Sequence, residues 1–158
     1  MGFVSKTLSL FIKRRGKNDV IKVITYGTYD MLHYGHLNLL RRAKELGDYL
    51  IVGVTTDNFD RSRGKLLVQQ PLTARIEAIK QTGYADEVIL EEYEGQKIDD
   101  IKKYGAHIFA IGSDWKGKFD YLSDYCKVVY LPRTEGVSST ELRNNGTILR
   151  IGIAGYGY

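Results

Sequence analysis

Cysteine is almost missing from this 158-residue chain; Cys126 is the only one. A single thiol excludes an internal disulfide framework and fits a reducing, cytoplasmic setting. Proline is scarce as well, and both copies act as punctuation: Pro71 opens a helical pattern and Pro132 closes a strand pattern. No apolar run approaches the roughly 20 residues of a membrane-spanning helix, so stable membrane insertion is not expected. A P-loop is excluded too, since Gly64-Lys65 is followed by Leu66 where Ser or Thr would be required. His33 and His36 have no Cys or acidic residue at a convincing third-ligand spacing, and no metal site is assigned to them. Internal repeats and low-complexity segments are absent.

The net charge is +4. A basic balance suits polyanionic ligands such as nucleotides or nucleic acid. Part of it, however, sits in Lys13, Arg14, Arg15 and Lys17, ahead of the first strand pattern, so the global charge says little about a site and no nucleic-acid partner is assigned. Residues 1–20 read as a basic N-terminal extension. Its short apolar stretch, Thr7 to Ile12, precedes the basic cluster, the reverse of the order in a secretory signal. Residues 21–145 read as one α/β domain.

The organising stretch runs from Val23 to His36. Val23 to Tyr26 is β-branched and aromatic and reads as a strand. Gly27 is expected to turn the chain through positive φ. A helix follows with Leu37, Leu40, Ala43 and Leu46 on one face, ended by Gly47 as a C′ residue. A strand–turn–helix carrying His33, Gly35 and His36 sets two imidazoles and free backbone N–H groups at a helix start, where anions bind in α/β sheets. Further strands are expected at Tyr49–Val54, Val88–Leu90, His107–Ile111 and Val128–Leu131, and helices after Pro71 and at Gln96–Tyr104. The segment from Asn58 to Gln70 reads as a long basic loop with Arg61, Arg63 and Lys65. Ser138-Ser139-Thr140-Glu141 is a capping-box pattern that opens a last helix. Strands alternating with helices give a Rossmann-like, doubly wound, parallel five-stranded sheet. In the tail, residues 146–158, Ile-Gly-Ile-Ala-Gly-Tyr-Gly is similar to the start of a dinucleotide-binding βα unit and reads as a possible start of a truncated second domain; a single G-x-G carries little weight.

His33-Tyr34-Gly35-His36 after Gly27-Thr28-Tyr29-Asp30, together with Arg133-Thr134-Glu135-Gly136-Val137-Ser138-Ser139-Thr140, resembles the HxGH and RTxGxST elements of the cytidylyltransferase family of HxGH nucleotidyltransferases. Within it the chain is most similar to the bacterial glycerol-3-phosphate cytidylyltransferases, over about Ile21 to Arg143. Two motifs in order are far more specific than either alone. The resemblance implies transfer of CMP from CTP to a phosphorylated polyol, giving CDP-glycerol or a close relative for teichoic acid or capsule synthesis. It implies Mg²⁺ bound through the CTP phosphates, and a homodimer.

It also distributes roles. His33, His36, Lys65 and Arg133 are expected to be catalytic, with both histidines donating hydrogen bonds to phosphate oxygens. Thr28, Tyr29 and Gly35 are expected at the nucleotide, as are Thr134, Gly136, Val137, Ser138, Ser139 and Thr140. Arg63, Lys97, Asp30 and Trp115 are expected at the acceptor; Asp30 is also read as a cap that orders the turn, and Arg75 is expected to order the site. Arg63 stands where the family has a lysine, and Arg offers a planar bidentate fork in place of a point charge. Trp115 belongs to Asp114–Phe119, which is similar to the family's (D/E)WxGKF loop. Two other readings stay open from sequence: an HxGH adenylyltransferase or a cytidylyltransferase for another phosphate acceptor, and a nucleotide-binding regulatory module without turnover. The intact His33, His36 and Lys65 weigh against the last.

Overall fold

The computed structural model describes residues 19–133. Five strands form one parallel sheet: β1 (Lys22–Gly27), β2 (Tyr49–Thr55), β3 (Glu87–Glu91), β4 (Ile108–Gly112) and β5 (Lys127–Leu131). Their spatial order is β3-β2-β1-β4-β5. The order reverses between β1 and β4, and α/β sheets open a ligand crevice at such a reversal, beyond the carboxyl ends of the strands. The connecting helices are α1 (Tyr34–Glu45), α2 (Asp57–Ser62), α3 (Leu72–Gln81) and α4 (Gln96–Tyr104), with short 3-10 turns at Ser113–Trp115 and Asp120–Asp124.

Both faces of the sheet are covered, which is why β2 is buried on consecutive residues, Leu50 to Thr55, rather than on alternate ones. Val23, Leu50, Val52 and Ile108 pack beneath Leu40, Ala43 and Leu46 at α1 and Ile79 of α3. The opposite side chains, Ile24, Tyr26, Ile51, Phe109 and Ile111, pack with Ile101 of α4 and Leu122. Gly53 is needed for this second layer, because a Cβ there would strike the Tyr26 ring.

Three local expectations are corrected. Gly27 stays in β1; the left-handed backbone falls instead on Tyr29 (φ 55°) and Met31 (φ 52°). Gly47 does follow α1, but it is not among the positive-φ residues; its role is close approach, since a Cβ would lie 2.7 Å from the Ile21 carbonyl oxygen. The expected loop from Asn58 to Gln70 begins as helix α2. Thr56 caps it by accepting from the Phe59 N–H at 3.2 Å, and Asp57 and Asp60 stand in the first turn, where the helix dipole favours them. Arg133 is the last described residue; the rest of the RTxGxST element, the helix expected there and both terminal segments lie outside the described residues.

Candidate active site

His33 is the N-cap of α1, and its Nδ1 accepts from the Gly35 N–H at 3.0 Å. The His33 N–H in turn donates to His36 Nδ1 at 3.2 Å, completing a reciprocal capping box. With each Nδ1 accepting, a neutral ring in either histidine carries its proton on Nε2. The two rings stack, centroids 4.0 Å apart. Gly35 makes the stack possible, because a Cβ there would lie 2.8 Å from His33 Cε1. Gly35, expected at the nucleotide, thus also makes room for a histidine.

His36 is 3% exposed, and its Nε2 has no hydrogen-bond partner among the described residues. Burial first, and the neighbouring His33 second, push its pKa down to about 3. At neutral pH it is therefore an uncharged N–H donor, buried and unsatisfied, at the amino end of a helix. An unmade hydrogen bond of this kind is costly, and an anionic oxygen would satisfy it. A measurable consequence follows from linkage. An unfolded histidine binds its proton near pH 6.5, whereas folded His36 stays neutral down to about pH 3. Between those values the unfolded state holds the extra proton, so stability falls as pH falls, by up to about 1.4 kcal/mol per pH unit from this residue. Urea unfolding at pH 7, 5.5 and 4.5 is expected to show that loss, reduced in His36→Gln. An identical pH dependence in that variant would overturn the assignment.

The turn before the histidines is held from outside. Asp30 accepts from the Gln69 and Gln70 N–H groups, both at 2.9 Å, and the Met31 N–H donates to Gln70 Oε1 at 2.8 Å. Asp30 clamps the 64–71 loop to the turn, in line with its reading as a residue that orders the turn. Two left-handed non-glycine residues in three cost energy that such clamps hold in place, a pattern common at functional sites. Tyr29 uses its strained backbone to set its ring edge-on to His36, 5.5 Å away.

Cations gather beside Thr28. Lys65 Nζ donates to Thr28 Oγ1 at 3.0 Å, and that hydroxyl also lies 3.3 Å from Asp60 Oδ1 and 3.2 Å from Thr55 Oγ1. Burial and the nearby Arg63 lower the Lys65 pKa. Arg63 caps the C-terminus of α2, 3.6 Å from Asp60 Oδ1 and over the Phe59 ring. Behind them Arg75 is wholly buried, its fork donating to the Thr28 carbonyl (2.9 Å), the Thr55 carbonyl (2.8 Å) and Asp57 Oδ1 (2.6 Å). It orders the site, as expected. Lys97 opens into the same region from the first turn of α4, 2.5 Å from Glu91 Oε2 and over the Tyr26 ring.

On the β4 side, Trp115 is half-buried against Phe119. Asp114 beside it takes Arg133 in a two-nitrogen pair, with Nη2 at 2.7 Å and Nε at 3.2 Å. That pair is exposed, and Arg133 is the last described residue; Thr134, Gly136, Val137, Ser138, Ser139 and Thr140 lie beyond it. Among the described candidates, Thr28, Tyr29, His33, His36, Lys65 and Arg63 are brought together by hydrogen bonds, ring contacts or charge coupling. Glu91 and Asp60 were missed from the sequence. The signal available for Glu91 was an acid directly after the apolar run Val88–Leu90; for Asp60 it was an acid three residues before Arg63.

A family model described as "Cytidylyltransferase-like" matches residues 24–145. The chain is 50% identical over 124 residues to a protein of Bacillus spizizenii named glycerol-3-phosphate cytidylyltransferase, covering 78% of this chain and 95% of that one. It is 49% identical over 122 residues to the protein of that name from Staphylococcus aureus, covering 77% and 92%. Among solved structures, a lipopolysaccharide core biosynthesis protein from Thermoplasma volcanium superposes with a TM-score of 0.63 at 28% identity, over 74% of this chain and all of that one.

Proposed function

Because the chain belongs to the cytidylyltransferase-like family, we propose that it transfers the cytidylyl group of CTP to glycerol 3-phosphate. An oxygen of the acceptor phosphomonoester attacks the α-phosphorus of CTP. The new O–P bond forms as the bond from the α-phosphorus to the bridging oxygen breaks, and pyrophosphate leaves with that electron pair. The products are CDP-glycerol, a precursor suited to teichoic acid or capsule polymers, and pyrophosphate. Such a displacement needs alignment and charge stabilisation more than a covalent nucleophile.

The observation that carries this reading is the buried, unsatisfied Nε2 of His36 at the amino end of α1, with Lys65 held on Thr28 beside it. A neutral N–H donor there binds a phosphate oxygen that gains charge in the transition state, and Lys65 neutralises the triphosphate. Among the described residues no group of three or more His, Cys, Asp or Glu side chains is placed to hold a metal; Mg²⁺ is proposed as part of the substrate, carried on the CTP phosphates. Arg133 and the segment after it are proposed to close on the nucleotide, and the homodimer implied by the resemblance belongs to the same proposal. Among the described residues no helix is long and apolar enough to cross a membrane.

Steady-state pyrophosphate release, with each substrate varied, tests it. CTP is expected to exceed ATP in kcat/KM with glycerol 3-phosphate as acceptor. Arg63→Ala is expected to raise the acceptor KM by about tenfold, the value of one charge-assisted hydrogen bond, with a far smaller change for CTP. Equal rates with ATP would shift the reading to an adenylyltransferase. A rise confined to the CTP KM would move Arg63 to the nucleotide.

A further inference from the structure

One acid in this crevice has no part in the chemistry above. Glu91 ends β3 in register with Thr55, at the same carboxyl edge as Thr28. It is 1% exposed. Its Oε2 lies 2.5 Å from Lys97 Nζ, but its Oε1 has no hydrogen-bond partner among the described residues. A carboxylate that existed only to neutralise Lys97 would gain by turning its second oxygen to a backbone N–H or to water. The backbone at this point is already committed, since the Glu91 carbonyl accepts from the Thr56 N–H at 3.0 Å.

The cations facing Glu91 come from two elements, and one anion, Glu94 in the turn before α4, acts on it as well. Lys97 stands on α4, and Arg63, at the end of α2, acts on Glu91 through space. Glu91 acts in turn on Lys65. The free oxygen therefore sits among the cations assigned to phosphate groups. A bound acceptor phosphate would occupy those cations and bring its carbon chain past Oε1. An ionised carboxylate offers only acceptor capacity. What it can take from a neutral substrate is a hydroxyl proton; an ammonium is disfavoured by the three cations around it.

We propose that Glu91 is the specificity residue of the acceptor site: Oε2 fixes Lys97 against the acceptor phosphate, and Oε1 accepts a hydrogen bond from an acceptor hydroxyl. The ligand class is a short phosphomonoester bearing a hydroxyl on the adjoining carbon chain. The inference rests on the reading of the site as one for cytidylyl transfer to a phosphorylated polyol.

The test compares glycerol 3-phosphate with n-propyl phosphate, which keeps the phosphomonoester and the three carbons but has no hydroxyl. Each is assayed with CTP on the full chain, its Glu91→Met variant, and the double variant Glu91→Met/Lys97→Met, in which no buried charge is left unpaired. Wild type is expected to prefer glycerol 3-phosphate by about 10- to 100-fold in kcat/KM, the value of a hydrogen bond to a charged group. In both variants the preference should shrink to less than about threefold. A merely structural role for Glu91 lowers both acceptors alike and leaves the ratio unchanged, which would overturn the proposal. Wild type that accepts both phosphates equally would also overturn it while leaving cytidylyl transfer standing. Wild type that transfers to neither would overturn the functional reading itself. If a variant turns over too slowly to assay, dissociation constants for the two phosphates, from calorimetry in the presence of CTP, report the same ratio.

Discussion

Replacing His36 by alanine is expected to lower kcat by about 10²–10³-fold, the typical effect of removing one preorganised donor from a developing oxyanion. The reasoning begins with the tautomer. Nδ1 of His36 is occupied by the His33 N–H at 3.2 Å, so Nε2 carries the proton. Burial and the stacked His33 hold the ring neutral, with a pKa near 3. A neutral donor fixed by two neighbours and shielded from water requires no reorganisation as charge builds on a phosphate oxygen. Alanine also removes the Nδ1 acceptor, which costs a cap worth about 1 kcal/mol, so part of any loss would be structural. His36→Gln separates the two effects, since a glutamine amide can place an N–H near the Nε2 position. It should recover part of the rate, while a circular dichroism spectrum and thermal midpoint close to wild type show that α1 survives. An alanine variant retaining near-native kcat, with the fold intact, would remove His36 from the chemistry.

The parts of this molecule that were legible in its sequence are those governed by period and punctuation. The apolar spacing of Leu40, Ala43 and Leu46 gave α1 its buried face, and the continuous run Leu50–Val54 signalled a strand covered on both sides. Gly105, directly after the Gln96–Tyr104 pattern, closes α4 in the left-handed conformation. The six-residue helix α2 escaped because it is too short to show a period; only Thr56 and two acids mark it. The histidine pair was legible as a motif, but not the reason for Gly35, which depends on where the His33 ring lies. Asp30 illustrates the same limit. An acid in this turn could be read as ordering it, but its partners, backbone groups about 40 residues away, could not. Glu91 and Lys97 are six apart in sequence but meet only because β3 and α4 are joined by a tight turn at Gly95, itself left-handed. Contacts of this kind are fixed by the packing of separate elements, and no local pattern encodes them.

The second large effect concerns Arg75, where Arg75→Met is expected to destabilise the fold by about 3–5 kcal/mol, the usual result of removing one partner from a buried charge network. Methionine roughly preserves the apolar stem, so the loss reports the guanidinium. That group satisfies the carbonyls of Gln70, Thr28 and Thr55 at 3.1, 2.9 and 2.8 Å. It also lies 3.6 Å from Asp60 Oδ2, in a carboxylate that is 1% exposed. The shorter contact, 2.6 Å to Asp57, contributes less, because Asp57 is 44% exposed and its charge is screened by water. The expected cost therefore falls on Asp60 and the three carbonyls. Arg75→Lys should rescue little, since one ammonium cannot reach acceptors spread around a planar fork. Arg75→Met/Asp60→Asn should be more stable than Arg75→Met alone, because the second change removes a buried charge left with only Arg63, 3.6 Å away, as its ion-pair partner. Urea unfolding midpoints at constant m measure all three. A loss below about 1 kcal/mol in Arg75→Met, or a double variant no more stable than the single, would show that Asp60 does not depend on Arg75. The turn that presents Thr28 to Lys65 would then owe its position to Asp30 and the Gln69–Gln70 clamp instead.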